Sequence, residues 1–402
     1  MSAVAPVVTM AGSAAAEDSA YGVGPLSQSR LIRQETALGI VRNLVPQDEL
    51  IGLSEFAPLK DIDTDDFVIQ LGDVGPSTKM APARADDAEA ELFQQDRFVP
   101  GEYRGRTIDW AIKSRYSTSD INTHRDAVDT AARIGNGQPL PLFVNRVLEG
   151  FNEKVQRDTV KRREMLDYRL NWLIMQSVTE GALAYNDGKI KFNINWGRPA
   201  DQHRQAPKSG TYASTTHDPI DDIKAVKAKM RNLYGIELDR AYCSPEFLET
   251  FWHSDKFRQI AAPGNSGVTA EDMPYLLAGW GPDSAVRIVE QATGITFRPY
   301  NGVYRTRLEG TKTFQQHRWM PVDDVIFMPA ESDINAIDET DLGFGRTLTS
   351  PHPAGDWTSG FYQWEKDYGQ DPWGYAVGTG IKAFPVLPHL NWTYTWKVTL
   401  PA

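Results

Sequence analysis

RREMLDYRLNWLIMQSVTEGALAYNDGKIKFNINWGRP, residues 162–199, holds the two clearest patterns in the chain. It ends a run from Leu142 to Tyr185 that contains no proline, and Pro141 sits where a first-turn proline belongs. After Asn186-Asp187-Gly188 the pattern turns to strict two-residue alternation. Ile190, Phe192, Ile194 and Trp196 face one way, and Lys191, Asn193 and Asn195 the other. The spacing predicts a helix over 142–185 followed by a strand. At about 1.5 Å per residue such a helix is roughly 65 Å long, more than the diameter of an ordinary globule. It calls for a thin or elongated body. Plates that tile form shells, and shells need no catalytic residues.

Working outward, the remaining chain predicts several elements and one extended feature. Ser29 can cap an amphipathic helix with apolar positions Leu31, Ile32, Leu38, Val41 and Leu44, ended by Pro46. Phe67, Ile69 and Leu71 lie on one face of an alternating strand; Ile108, Trp110 and Ile112 lie on one face of another. Gly72–Gly105, between them, is polar and rich in Asp, Ala, Gly and Pro, so the pair reads as a long hairpin with a broad tip. Two strands alone are marginally stable in water, so this hairpin folds back on its own domain or lies on a neighbouring chain. Ser117–Gln138 reads as a polar connector.

The long run keeps apolar spacings of three and four at Val144, Leu148, Phe151, Val155, Leu166, Leu170 and Leu173. Its Lys161-Arg162-Arg163 triplet is interleaved with Asp158, Glu164 and Asp167, which favours a solvated or salt-bridged face over nucleic-acid contact. From Asp218-Pro219, a cap and first residue, the pattern becomes compact α/β. Ile223, Val226, Met230 and Leu233 form a buried stripe ended by Gly235, then come a strand at Leu238–Tyr242 and a cap at Ser244-Pro245. A helix over Asp283–Thr293 and a strand at Ile295–Phe297 complete one mixed-sheet domain. The last alternation, Leu390, Trp392, Tyr394, Trp396, Val398 and Leu400, predicts a closing strand.

Composition narrows the class. The 402 residues, 41% hydrophobic and 24% charged, suit two or three soluble domains. A net charge of −11 lacks the basic stripe of a nucleic-acid reader. One cysteine, Cys243, excludes an intrachain disulfide and a cysteine zinc cluster. Met1–Gly24 has no basic start for a secretory signal and reads as an arm, and no window is long and apolar enough to span a membrane.

The motifs of chemistry are missing or malformed. Gly72–Lys79 has the wrong spacing for a phosphate loop, and Gly135-Asn136-Gly137 lacks a third glycine and a βα turn. Gly264-Asn265-Ser266-Gly267 is no nucleophile elbow, because its second glycine comes a residue early. Asp61, Asp63, Asp65 and Asp66 start like a calcium loop, yet the sixth position is Asp66 and the twelfth Gly72. The seven histidines do not pair at ligand spacing. No catalytic residue, cofactor or metal is expected.

The ordered series Glu164, Leu173, Glu180-Gly181-Ala182-Leu183, Asp187-Gly188 and Ile190-x-Phe192-x-Ile194-x-Trp196-Gly197-Arg198-Pro199 resembles the hallmark region of the major capsid protein E family. These are head-shell proteins of lambda-like tailed bacteriophages. Asp218-Pro219-Ile220-Asp221-Asp222-Ile223, Trp364, Asp371-Pro372 and Pro385-x-x-Pro388 continue it. The order of elements agrees from roughly residue 30 to 400.

The resemblance implies an α+β, Hong Kong ninety-seven-type capsid fold. It implies an N-terminal arm (1–60), an extended loop (61–119), a peripheral domain with a spine helix (120–216), and an axial domain (217–345). Residues 346–402 would return to the peripheral sheet, with the last strand possible in the axial domain. It further implies self-assembly into hexamers and pentamers of an icosahedral head around double-stranded DNA. Expected partners are scaffold, portal and a decoration protein, with assembly in the host cytoplasm and residence in the virion. Phe67, Ile69, Leu71, Ile108, Trp110 and Ile112 are the expected assembly interface. The hairpin tip has one lysine, Lys79, and no cross-link is expected. Two alternatives remain open at this point: a bacterial nanocompartment shell of the same fold, and, from the aromatic content and acidic residues, a polysaccharide-acting enzyme.

Overall fold

The computed structural model describes residues 41–42, 44, 49–71, 101–134, 142–188, 190–257, 282–307, 313–337, 342–367 and 375–401. The predicted helix capped by Ser29 falls almost wholly outside them, and so do residues 72–100 of the predicted hairpin tip.

In chain order, β1 (Leu59–Asp61), β2 (Asp66–Leu71), β3 (Gly101–Arg106) and β4 (Ile108–Tyr116) precede α1 (Thr118–Ile134) and the 39-residue α2 (Leu142–Glu180). Then come β5 (Ala182–Asn186), β6 (Lys191–Asn195), α3 (Pro219–Tyr234), β7 (Leu238–Cys243), α4 (Pro245–His253) and α5 (Pro282–Thr293). The rest is β8 (Thr296–Pro299), β9 (Val303–Arg307), β10 (Phe314–Arg318), β11 (Asp324–Pro329), α6 (Glu331–Ile337), β12 (Arg346–Thr349), β13 (Phe361–Asp367), β14 (Tyr375–Val386) and β15 (Tyr394–Lys397). The chain divides into two compact units. The first is drawn from Met1–Val45, Asp109–Leu166 and Pro351–Lys382, the second from Pro46–Ile108, Asp167–Ser350 and Ala383–Ala402. Both α2 and β14 begin in the first unit and end in the second.

In the first unit β14 pairs antiparallel with β13, from Phe361 opposite Ile381 to Asp367 opposite Tyr375, and also pairs with β4. Gly378 and Gly380 lie opposite Trp364 and Tyr362. A Cβ on Gly378 would stand 2.2 Å from the Trp364 ring, and one on Gly380 2.4 Å from that of Tyr362. These aromatic rings therefore lie flat across the neighbouring strand, in space only glycine leaves. Tyr116, Ile121, Phe151, Val155, Tyr375 and Val377 form the core of this unit.

The predicted polar connector is a helix. Ser117 Oγ caps it, accepting from Asp120 N at 3.3 Å, and its hydroxyl donates to Asp120 Oδ2 at 2.9 Å. Ile121, His124 and Ala127 are its buried face, and His124 lies 4.4 Å from the Phe151 ring. An imidazole acting as an apolar side chain hides that stripe from a reading by hydropathy. The basic triplet also departs from expectation. Lys161 is exposed, but Arg162 and Arg163 are both only 2% exposed. Arg162 donates to Thr379 Oγ1 (3.1 Å) and Thr159 Oγ1 (2.8 Å), and Arg163 donates to Val41 O (3.1 Å) and lies over the Phe361 ring. Delocalised, weakly hydrated guanidiniums tolerate such burial, stacked on a ring or held by hydroxyls and a carbonyl.

The second unit is built on the sheet β15-β11-β7-β8, antiparallel except for the parallel pair β7–β8. Strand β11 is buried at all six positions. The predicted caps stand where expected. Asp218 Oδ1 accepts from Asp221 N at 3.1 Å, Ser244 Oγ from Phe247 N at 3.2 Å, and Gly235 ends α3 in the left-handed region with φ 71°. Ile223, Val226 and Met230 are buried as predicted, but Leu233 is 51% exposed. It sits in the last turn of α3, where the helix outruns its packing surface. Leu390–Trp392 is a short 3₁₀ turn rather than strand, and the closing strand is only Tyr394–Lys397. Trp392 and Trp396 are nonetheless buried.

The helix predicted to reach Tyr185 stops at Glu180. Gly181 takes φ 69° and its N–H bonds to Ser177 O at 2.9 Å. Arg198 then covers the last turn, with Nη2 donating to Val178 O at 2.8 Å and Nη1 to Thr179 O at 3.5 Å. Ala182–Asn186 turns back as a strand, and Asn186-Asp187-Gly188 is the turn of a β5–β6 hairpin. The Asp187-Gly188 pair, with Gly188 at φ 81°, favours such a turn, and Gly181 ends the helix in time for the first strand to form.

Candidate assembly surface

The extended hairpin is a two-stranded ribbon, β2 against β3, running from Asp66 opposite Arg106 to Leu71 opposite Gly101. Its return strand is therefore Gly101–Arg106, not the predicted strand of Ile108, Trp110 and Ile112. Glycines at both 101 and 105 and Pro100 before them blur any alternation in that strand. Ile108–Tyr116 leaves the ribbon and joins β14 instead. Thr107 makes the break: its N–H bonds to Asp65 O at 3.0 Å, and its buried hydroxyl meets Ser350 Oγ at 2.7 Å. Arg106 pairs with Asp65 at 3.3 Å and Asp66 at 3.8 Å, exposed contacts that add little stability.

At the ribbon's base lies a cavity of about 460 Å³, lined by Phe67, Gly105 and Ile108, by Phe192, Ile194 and Trp196, and by Phe384. Each lining element follows from a local pattern. The Phe67 ring lies across Gly105, where a Cβ would come within 2.4 Å of it, so glycine is required there. Phe67 stacks on Phe384 with centroids 6.0 Å apart, and Phe384 meets Phe192 edge-on at 5.6 Å. Phe192 in turn stacks on Tyr185, its cross-strand partner, at 5.3 Å. Burial pushes the Tyr185 phenol above its ordinary pKa, and its hydroxyl donates to Asp187 Oδ2 at 3.2 Å. The charged groups lining the cavity are both cationic, Arg104 and Arg106; Asn193 and Asn195 add amides.

Of the six residues expected at the interface, Phe67 and Ile108 line this cavity. Trp110 and Ile112 lie in the first unit; Trp110 is only 8% exposed and so already covered within one chain, and Ile112 is half-buried. The side chains of Ile69 and Leu71 fall outside the described residues. Phe384, Phe192, Ile194 and Trp196 were not among the expected six, although the alternation of the last three marked them as one apolar face.

A second feature lies in the first unit, at the turn Pro353–Thr358. Asp356 and Trp357 both have left-handed backbones, with φ 56° and 57°. For a residue as bulky as tryptophan that conformation costs about 1–3 kcal/mol. The turn is held by Trp357 N to His352 O (3.2 Å), Thr358 N to Gly355 O (3.1 Å) and Ala354 N to His352 Nδ1 (3.1 Å). Arg42 braces it through Phe361 O at 3.2 Å and through the Thr358 hydroxyl, and His352 stacks on Tyr362 with centroids 3.9 Å apart. The Trp357 side chain is 72% exposed.

Such surfaces supply apolar area, aromatic rings and guanidinium groups, the chemistry of association. Among the described residues no group of three or more His, Cys, Asp or Glu is placed to hold a metal, and no helix is long and apolar enough to cross a membrane.

No curated protein matches the chain in sequence. In structure it is similar to a protein assigned as a prophage capsid protein of Escherichia coli CFT073, at 15% identity and a TM-score of 0.54, covering 91% of this chain and 99% of that one. It is also similar, with a TM-score of 0.45, to a phage-related protein of Bordetella bronchiseptica RB50, at 15% identity over 93% of this chain and 100% of that one. The first likeness gives the mixed α+β architecture as that of a tailed-phage, Hong Kong ninety-seven-type capsid protein. The family described as phage major capsid protein E matches residues 138–339, just over half of the chain. With its long helix, hairpin and α/β unit in the expected order, the chain belongs to the phage major capsid protein E family.

Proposed function

We propose that copies of this chain form hexamers and pentamers that close an icosahedral head around double-stranded phage DNA. Scaffold and portal proteins, and a decoration protein, are its partners, and assembly takes place in the host cytoplasm. The arm is 1–60, the loop 61–119 with its ribbon at Asp66–Arg106, the peripheral domain 120–216 and the axial domain 217–345, with 346–402 returning to the peripheral sheet except for the last strand, β15, which pairs with β11 and belongs to the axial domain. Its role is structural rather than catalytic.

The observation that carries this reading is the ribbon. Among the described residues β2 and β3 pair with each other and with no third strand, and Val68 on β2 is 57% exposed. Two strands alone are marginal in water, so the ribbon gains by lying on a neighbouring copy, where Phe67 and Ile108 extend the buried area. Each such contact is weak; many repeated in a closed shell become strong together and still allow correction of misplaced subunits. The acidic chain, with a net charge of −11, meets packaged DNA through counterions rather than through a basic reading surface.

Removal of residues 72–100 tests the loop's part in this. The expected result is a chain with unchanged helix and sheet content by circular dichroism that no longer closes shells by negative-stain microscopy. Full assembly of the shortened chain refutes an intermolecular role for residues 72–100, the part of the loop beyond the ribbon. The cargo of purified particles, nucleic acid or protein, separates a phage head from a nanocompartment.

A further inference from the structure

From the two surfaces described above we infer a specific contact between copies: Trp357 of one chain seats in the cavity at the ribbon base of a second chain. The inference rests on the shell reading and adds to it a named knob and a named socket.

The knob is preorganised. A tryptophan with φ 57° is held outward at 72% exposure by a turn with backbone bonds to His352 and Gly355. A chain that maintains a disfavoured backbone to present an apolar ring to water is spending stability on something outside itself. With the backbone already fixed by the turn, only the two side-chain torsions of the indole remain to be ordered on binding, and tryptophan is enriched at interface hot spots. The turn is short and flanked by Gly355 and Gly360, so little besides Asp356, Trp357 and Thr358 would need to enter a neighbour.

The socket fits in size, character and charge. Its volume of about 460 Å³ falls in the range that holds drug-sized groups, ample for one indole. Phe67, Phe192, Trp196 and Phe384 supply ring faces and edges for an inserted aromatic. Asp356, adjacent to the knob and exposed, is anionic; the charged side chains lining the socket are cationic, Arg104 and Arg106, the latter shared with Asp65 and Asp66. The occupant is a second copy because the complementary group is carried by this same chain, and a shell brings the two together in every subunit.

The test places a photoreactive benzoylphenylalanine at position 357 of the full-length chain. Shells are assembled from equal parts of nitrogen-15-labelled and unlabelled protein and irradiated, and the adducts are mapped by mass spectrometry. The expected adducts join position 357 to residues 104–108, 192–196 or 384, with mixed labels showing that two chains are linked. In parallel, Trp357→Ala should raise the subunit concentration needed for shells by about tenfold or more, and Trp357→Phe by less. Both variants should keep the wild-type unfolding curve, because the side chain is exposed. Adducts elsewhere, adducts within one chain only, no adducts, or an unchanged assembly threshold for Trp357→Ala would overturn the inference. Failure of the wild-type chain to form any shell would instead count against the shell reading, so the two failures are distinguishable.

Discussion

Arg198 offers the most exacting test of how the long helix is ended. It is 8% exposed and serves the last turn of α2 and a distant segment at once. Nη2 bonds to Val178 O at 2.8 Å and Nη1 reaches Thr179 O at 3.5 Å, while Nε and Nη2 bond to Thr393 Oγ1 at 3.1 and 2.6 Å. Thr393 spends its own proton on Leu390 O at 2.6 Å, so its hydroxyl oxygen is committed to accepting from the arginine. Burial lowers the guanidinium pKa to about 9, opposed by the nearby Asp324 carboxylate, and at neutral pH the group remains charged. The charge also stands at the negative end of the helix dipole.

In Arg198→Ala the acceptors Val178 O, Thr179 O and Thr393 Oγ1 lose their donor. At roughly 1–3 kcal/mol for each buried polar group left unmade, less the relief of no longer burying a cation, the net loss is about 2–4 kcal/mol. Arg198→Lys keeps the charge but not the fork, and should lose about half as much. Amide hydrogen exchange reads this locally. Protection of residues 176–186 should fall about a hundredfold in Arg198→Ala, while α1 and α4 are unaffected. A change below about fivefold in that segment would refute the capping role.

Two further substitutions probe packing and titration. Gly378→Val puts atoms where the Trp364 ring already lies, with even a Cβ at 2.2 Å, so unfolding should be easier by about 1–3 kcal/mol by urea titration; an unchanged midpoint contradicts the flat-ring geometry. Asp222, 1% exposed, accepts from Ser209 N (2.7 Å), Ser209 Oγ (2.5 Å) and Tyr212 OH (3.1 Å), and burial raises its pKa above 3.8. The unfolded chain therefore releases this proton at lower pH than the folded chain, and the wild type loses stability as pH rises from about 3.8 through the raised folded value. Asp222→Asn lacks that slope, so its stability relative to wild type should climb with pH across the window and level off above it. A flat or falling difference contradicts the assignment.

Much of the architecture was legible because local patterns and tertiary packing agree. Asp218-Pro219 with Gly235 delimits α3, Ser244-Pro245 starts α4, and the apolar spacing of α2 from Val144 to Leu173 is its buried face wherever side chains are described. The departures have physical causes. Helix α1 was hidden because its buried stripe uses His124. The end of α2 was misplaced because Ala182–Tyr185 is composed of residues good in a helix, and Gly181 together with Arg198, seventeen positions on, decides the matter. Arg162 and Arg163 read as surface because sequence does not display the hydroxyls of Thr159 and Thr379 or the Phe361 ring that receive them. For the candidate assembly surface, strand alternation points to Phe67 and Ile108, but Phe384 lies 276 residues beyond Ile108 and comes to the cavity only through the fold. Trp357 carried no periodic signal at all; its left-handed backbone is what sets it apart.

The central claim is that this chain completes itself with copies of itself. Size-exclusion chromatography of the purified wild-type chain across a range of concentrations, with electron microscopy of the void-volume fraction, tests it most directly. The account predicts closed shells built of many subunits, appearing above a threshold concentration. A chain that elutes as a single 402-residue subunit at every concentration, with no particles on the grid, contradicts it.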